Sequence, residues 1–342
     1  MKEINMKNVK KVGLSALAGA LAFTSATAGD LSISGSMIAS YTKKGGYSTT
    51  GNPIGMDKEL SITGSGELDN GVGVAYKQTV TDAMAFNDSE LVFTGVPMMG
   101  DATVAITSTG SPLSAIDDVT PIAFEEANAA VGSIDDVNGM DGTYGIRYTL
   151  ADVMGSGFKL DAMYTPKHGT GDATAEKGVS GAGADQNEEG YEVTVTGSVP
   201  MVDGLSVGVG YAQLAKSQNE STTSSDEDQD EGTAYIKYAT GGLTLGYQKG
   251  VVAADGANET RYTNDYIGIS YAISDNLSIS YNEIESNKKN DSTDLIQEMD
   301  SISLSYTMGG MTIGILDSEA ENASYTSARK QSARSIQMSV AF

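Results

Sequence analysis

The chain has 342 residues, 45 acidic and 21 basic side chains, a formal net charge of −24, no Cys, no Trp and one His. A surface that acidic repels nucleic acid, and the lack of Cys excludes disulfide staples and thiolate chemistry. The 41 Gly and only 6 Pro go with 17 Tyr, and the apolar residues are ordered at period two rather than scattered as in a disordered chain.

The first residues read as an export signal. Lys2, Lys7, Lys10 and Lys11 precede the apolar run "VGLSALAGALAF", and Ala26 and Ala28 give an A-x-A cleavage site before Gly29. The run is far short of the roughly 20 residues of a spanning helix. The expected organisation is a signal peptide at 1–28 and one mature unit at 29–342. Cleavage removes four Lys and one Glu, which takes the net charge from −24 to −27.

Beyond the signal, alternation repeats along the whole chain. In "LSISGSMIASY", Leu31, Ile33, Met37, Ala39 and Tyr41 share one parity and Ser32, Ser34, Ser36 and Ser40 the other. "ELSITGSG", "VGVAY", "LVFTG", "ATVAIT", "TYGIRYTL", "FKLDAMYT", "YEVTVTGSV", "LSVGVGYAQ", "AYIKYA", "LTLGYQ", "YIGISYAI", "LSISYNE", "SISLSYTM", "MTIGIL" and "SIQMSVAF" follow, which makes sixteen segments. Their connections alternate in length. Seven are tight ("LDNG", "VPMMGD", "ADVMGSG", "VPMVDG", "TGG", "SDN", "GG"). The others are long: 42–56, 81–88, 108–141, 166–189, 214–232, 250–263, 284–298 and 317–332. An even strand number with short turns at one end and long loops at the other is the pattern of a transmembrane barrel.

Aromatic residues mark two levels on the apolar parity. Tyr41, Tyr144, Tyr164, Tyr191, Tyr211 and Tyr281 lie near the long loops, and Tyr148, Phe158, Tyr238, Tyr271, Tyr306 and Phe342 near the tight turns. Rings with a polar tip favour the headgroup level of a bilayer. A soluble β-sandwich or solenoid would show similar parity, but neither face here carries the Ile, Leu and Phe bulk to fill a core. The expected fold is all-β: a transmembrane antiparallel barrel of 16 strands.

On these residues the chain resembles the general diffusion porins of Gram-negative outer membranes, and looks most like the sixteen-stranded alphaproteobacterial kind. The signal, the alternation, the terminal Phe342 and the hairpin "TYGIRYTL…GSGFKLDAMY" after a long third loop carry the resemblance. It implies that the third loop, 108–141, folds into the lumen and narrows it. That loop holds Asp117, Asp118, Glu125, Glu126, Asp135, Asp136 and Asp141 and no Lys or Arg. It further implies basic wall residues facing these acids, and the polar parity offers Lys77, Arg147, Lys159 and Lys237; Glu59, Glu67, Asp161 and Glu192 share that parity. Phe342 is implied as the residue read by the barrel-assembly machinery, and a homotrimer is implied, with small-residue stretches such as 32–39 and 208–212 suited to packing barrel on barrel.

Other motifs carry less. "DEDQDEG" at 226–232 fails the EF-hand register and reads as a solvated acidic loop. No cofactor is expected, with loose Ca²⁺ or Mg²⁺ at the acidic loops left open. His168 lies in a loop without a visible partner for Ser–His chemistry, so no enzyme activity is expected. The expected function is an outer-membrane channel for small hydrophilic solutes and ions, preferring cations because the loop acids outnumber the wall bases; neutralising Glu125, Glu126, Asp135 and Asp136 is expected to weaken that preference and leave folding intact, because a wet loop gives little stability to lose. Outer-membrane lipid is the expected surround. The competing readings are a substrate-selective channel and a secreted or surface-attached β-rich binding protein.

Overall fold

A computed structural model describes residues 31–80, 86–168, 187–216, 228–254, 260–290 and 292–342. The predicted signal lies outside the described residues. Sixteen strands form one closed antiparallel barrel, each paired with its sequence neighbour and the first with the last. They are β1 (Leu31–Gly46), β2 (Ile54–Glu67), β3 (Gly73–Val80), β4 (Phe86–Thr94), β5 (Thr103–Thr107), β6 (Gly145–Leu150), β7 (Phe158–Thr165) and β8 (Asn187–Ser198), then β9 (Leu205–Lys216), β10 (Gln229–Thr240), β11 (Leu243–Ala254), β12 (Arg261–Ser274), β13 (Leu277–Asn290), β14 (Thr293–Met308), β15 (Met311–Glu321) and β16 (Gln331–Ala341). All seven tight connections fall at one end. Closure leaves no unpaired edge, which is the condition for strands in hydrocarbon.

The parity resolves as two environments. Ile33, Tyr41, Ile146, Val209, Ile267 and Ile302 point outward and are exposed, and so do the aromatics of both girdles. At the upper girdle the tyrosine hydroxyls donate to acids beside or just above them: Tyr211 to Asp230 at 2.5 Å, Tyr281 to Glu283 at 3.0 Å, and Tyr247 to Asp265. The ring covers apolar surface while its tip reaches the polar zone, which marks the upper edge of the apolar band.

The strands run further than the alternation suggested. β13 and β14 stay in register through Asn290 opposite Thr293, so the described residues of 284–298 extend a hairpin rather than form a long loop. β1, β11, β12, β15 and β16 likewise extend into segments read as loops. The alternation was hidden there because both faces turn polar above the girdle. Outward positions carry Glu285 opposite Glu298, and Asp300 opposite Glu319. The reading of 226–232 as a solvated acidic loop also fails in part. Asp226 and Glu227 lie outside the described residues, but β10 begins at Gln229, and Glu231 is buried on its inner face.

The wall is uneven. β8 to β16 have 11 to 16 residues each, whereas β5 has 5 and β6 has 6. Small stretches read as packing surface at 208–212 turn out to serve the interior. Gly208 lies against the Tyr235 ring and Gly210 against Leu113, while Val209 and Tyr211 are the outward side chains.

Candidate functional site

The third long loop, residues 108–141, does not stand out in solvent. It leaves β5, crosses the lumen and lies along the inner wall of β8 to β16. Outbound, the Val119 N–H donates to Gln248 Oε1 (2.9 Å), the Ala123 N–H to Ser280 Oγ (2.8 Å), the Phe124 N–H to Ser303 Oγ (3.2 Å) and the Ala127 N–H to Asn282 Oδ1 (2.9 Å). At the far end Gly132 N–H donates to Gln331 Oε1 (2.9 Å). On the return, Asn264 Nδ2 donates to the Asp135 carbonyl (2.9 Å), and the Asn138 and Gly139 N–H groups both donate to Glu231 Oε2 (2.7 and 2.8 Å). Irregular backbone removed from water needs such partners. The inward Ser, Asn, Gln and Glu of the strands supply them.

Apolar contacts reinforce the docking. Ala127 and Val131 pack on inward Tyr266, Ile284 and Met299, Leu113 and Val137 on Ala212 and Val252, and Met140 on Met163 and Leu214. These inward apolar side chains interrupt the Ser/Thr parity, and the sequence reading passed over them. Inward glycines give the second missed signal. Pro121 sits on Gly246 and Gly268, and the Phe124 ring sits on Gly314; a Cβ at any of these would collide with the loop. Glycine inside a strand marks a close approach of another chain segment.

The loop acids fall into distinct settings. Asp117, Asp118, Glu126 and Asp136 are near enough to act on one another electrostatically. Burial, with Asp118 and Asp136 adding repulsion, pushes the Asp117 carboxyl up to about 9. Burial raises Glu126 to about 8, against the Thr120 hydroxyl that donates to it at 3.1 Å. Asp136 rises to about 6, again through burial, while Tyr266, the Val137 N–H (2.7 Å) and Asn264 (3.3 Å) hold its charged form. Glu125, raised by burial, accepts from Gln337 Nε2 (2.7 Å) on β16. Asp118, Asp135 and Asp141 are exposed. The expectation that this loop could lose its charges with no structural consequence is therefore corrected: Asp136, through Tyr266 and Asn264, and Glu125, through Gln337, help fix it to the wall, and Glu126 holds Thr120 within the loop.

The wall bases divide as well. Arg147 binds Asp161 through Nε (2.8 Å) and Nη2 (2.6 Å), and Lys159 Nζ reaches the same carboxylate at 2.8 Å. Thr149 donates to it too, at 2.8 Å. Lys237 stands over the Tyr235 ring, 5.5 Å from its centre. Lys77 is exposed on the inner face of β3, opposite Glu90, beside a β2 wall whose inward Asp57 and Glu59 are also exposed. The open side of the lumen thus lies along β1 to β4, across from the docked loop. His168 is buried and its Nε2 hydrogen-bonds the Ala215 carbonyl (2.7 Å). Among the described residues no group of three or more His, Asp or Glu converges on a metal position.

A sixteen-stranded barrel with its third loop laid inside coincides with a family match: a family model described as Gram-negative porin covers residues 13–313. The chain belongs to the Gram-negative porin family. Solved porin structures overlay along almost the full chain. The anion-selective porin from Comamonas acidovorans has a TM-score of 0.64 at 16% identity, covering 92% of this chain and 99% of its own. OmpT, an outer membrane protein of Vibrio cholerae, gives 0.63 at 11%, covering 94% and 100%. Salmonella typhi OmpF gives 0.60 at 12%, covering 92% and 98%. No curated protein matches by sequence search. At these identities the overlays establish the fold, and the family establishes an outer-membrane porin, a channel rather than an enzyme.

Proposed function

We propose that this porin is a general diffusion channel with a modest preference for cations, working as a homotrimer. The observation that carries the cation preference is the pairing of Arg147 and Lys159 with one carboxylate, Asp161. Two of the four expected wall bases are thereby half-neutralised, while Asp118, Asp135 and Asp141 on the loop and Asp57 and Glu59 on the wall remain exposed. A cation near one such carboxylate gains on the order of 1 kcal/mol at water-like dielectric. Fold likeness to an anion-selective porin does not oppose this, because the sign of selectivity lies in side chains and not in the barrel.

Reversal potentials across a KCl gradient test the reading. Potassium should permeate ahead of chloride at 0.1 M salt, and the ratio should approach unity near 1 M, where the Debye length falls from about 10 Å to about 3 Å. Carboxyls held high lose their protons as pH rises, so the preference should also strengthen from about pH 5 to pH 9 as Asp136 and then Glu126 ionise. Chloride preference, or a ratio that falls with rising pH, would sink the proposal.

The uneven wall supports the trimer. A strand of 5 residues such as β5 spans about 17 Å at roughly 3.4 Å per residue, short of the ~25 Å apolar band of an outer-membrane barrel. Outward Ile106 and Ile146 lie on this low wall, both about half exposed. A neighbouring barrel covers such a face better than lipid. Replacing both with Lys should leave folded monomers in mild detergent, read by native mass measurement; trimers of undiminished stability would count against this face.

A further inference from the structure

The docked loop separates two cavities of opposite character. Above it, toward the long loops, a space of about 430 Å³ is lined by Asp135, Asp136, Asp141 and Glu231 together with His168. Its four carboxylates against a single imidazole favour amines over carboxylates. Beneath the outbound leg, toward the tight turns, lies a cavity of about 550 Å³. There the ionisable lining groups among the described residues are Asp118, on the loop, and Lys237, on β10. Ser206, Thr244 and Ser270 add hydroxyls, and Pro121 gives one wall an apolar surface.

Neither charged group is neutralised by the other or by a third residue among those described. The Lys237 stem packs beside Gly246 at the Pro121 seat, and its ammonium lies over the Tyr235 ring. Among the described residues it forms no ion pair. Asp118 is exposed and likewise forms no ion pair among the described residues. A cavity within the usual range for small-ligand sites, about 300–1,000 Å³, lined by one charge of each sign and by hydroxyls, suits a ligand carrying both charges.

We propose that the cavity beneath the loop is a subsite for small zwitterions, amino acids or short peptides, with Asp118 taking the amine and Lys237 the carboxylate. The subsite makes passage of such solutes a two-point event and gives the channel a facing, because Gly204 and Ala239 at the tight-turn end line the cavity. It rests on the channel reading above. Each half-exposed ion pair is worth up to about 1 kcal/mol, which is about a fivefold change in affinity.

Triglycine, triglycine amide and N-acetyl-triglycine supply a zwitterion, a cation and an anion of one shape. Single channels of the full-length porin in KCl are exposed to each from either side, and transient block is counted. Triglycine should block at roughly fivefold lower concentration than either capped form, and better from the tight-turn side. Lys237→Gln should abolish its advantage over the amide, and Asp118→Asn its advantage over the acetylated form. Equal block by all three probes overturns the proposal, as does block that ignores both substitutions or that responds instead to Asp135→Asn above the loop. Absence of any open channel would strike the channel reading itself, whereas conducting channels without zwitterion preference strike only the subsite.

Discussion

Gly314→Val and Gly268→Val should widen the pore. At Gly314 a Cβ would run into the Phe124 ring, and at Gly268 it would sit 2.8 Å from the backbone N and O of Pro121. A ring can turn aside, but backbone cannot, so Gly268→Val should have the larger effect. Forced overpacking costs about 1–3 kcal/mol per site, and every ~1.4 kcal/mol shifts the docked-to-undocked ratio tenfold. The barrel itself should not suffer, because a β-branched residue suits a strand better than Gly does. Single-channel recordings should show new states of higher conductance, most populated in the double variant, with unchanged amounts in the outer membrane. Adding Phe124→Ala to Gly314→Val should restore the original conductance, since the collision is removed. Wild-type conductance in a double variant that reaches the membrane would show that the loop does not set the pore.

How much of this was legible in the sequence depended on which face carried the signal. Outward positions alternate apolar against polar wherever lipid demands it, so the barrel, its strand number and its seven tight turns could be read directly. Where strands rise above the apolar band the demand lapses. Glu285, Glu298 and Glu319 then look like loop residues although they sit in regular ladders. The inner face was harder for a different reason. A wet lumen tolerates almost any polar side chain, so nothing in the local pattern says that Gln248, Asn264, Asn282 and Glu231 are fastenings for a loop more than 90 residues away. The exceptions to polarity carried that information: Tyr266, Ile284 and Met299 turned inward, and glycines at 246, 268 and 314. The acids of the loop were correctly located in the chain, but their burial could not be, because it depends on which residue of a return leg meets which strand. Wall bases posed the same problem. Arg147 and Lys159 share a parity with Asp161, and only the register between β6 and β7 reveals that all three meet.

Deleting Phe342 should nearly abolish the protein in the outer membrane. The barrel has one seam that joins distant parts of the chain, β1 with β16, and it can form only when synthesis and export are complete. At its end the Phe342 N–H donates to the Gly35 carbonyl (3.0 Å) and the Gly35 N–H donates back to the Phe342 carbonyl (2.9 Å). These two bonds close the ladder one step beyond the pairing of Ser36 with Ala341. The ring lies over Gly35, where a Cβ would collide with it, and it is about three-quarters exposed on the outward side. Phe342 therefore locks the seam and supplies lower-girdle apolar surface at the same place. Loss of both leaves Gly35 with unpaired backbone groups at the membrane edge, each costing about 1–3 kcal/mol where water is excluded. Phe342→Tyr keeps ring and backbone and should assemble nearly as wild type, with its hydroxyl at headgroup level. Phe342→Ala keeps the backbone pair alone and should fall between. Immunoblots of outer-membrane fractions, with heat-modifiable mobility as the measure of folded barrel, give the ranking Tyr above Ala above deletion. Wild-type levels of the deletion would refute a role in assembly. Equal loss in Ala and deletion would assign the role to the ring rather than to the seam.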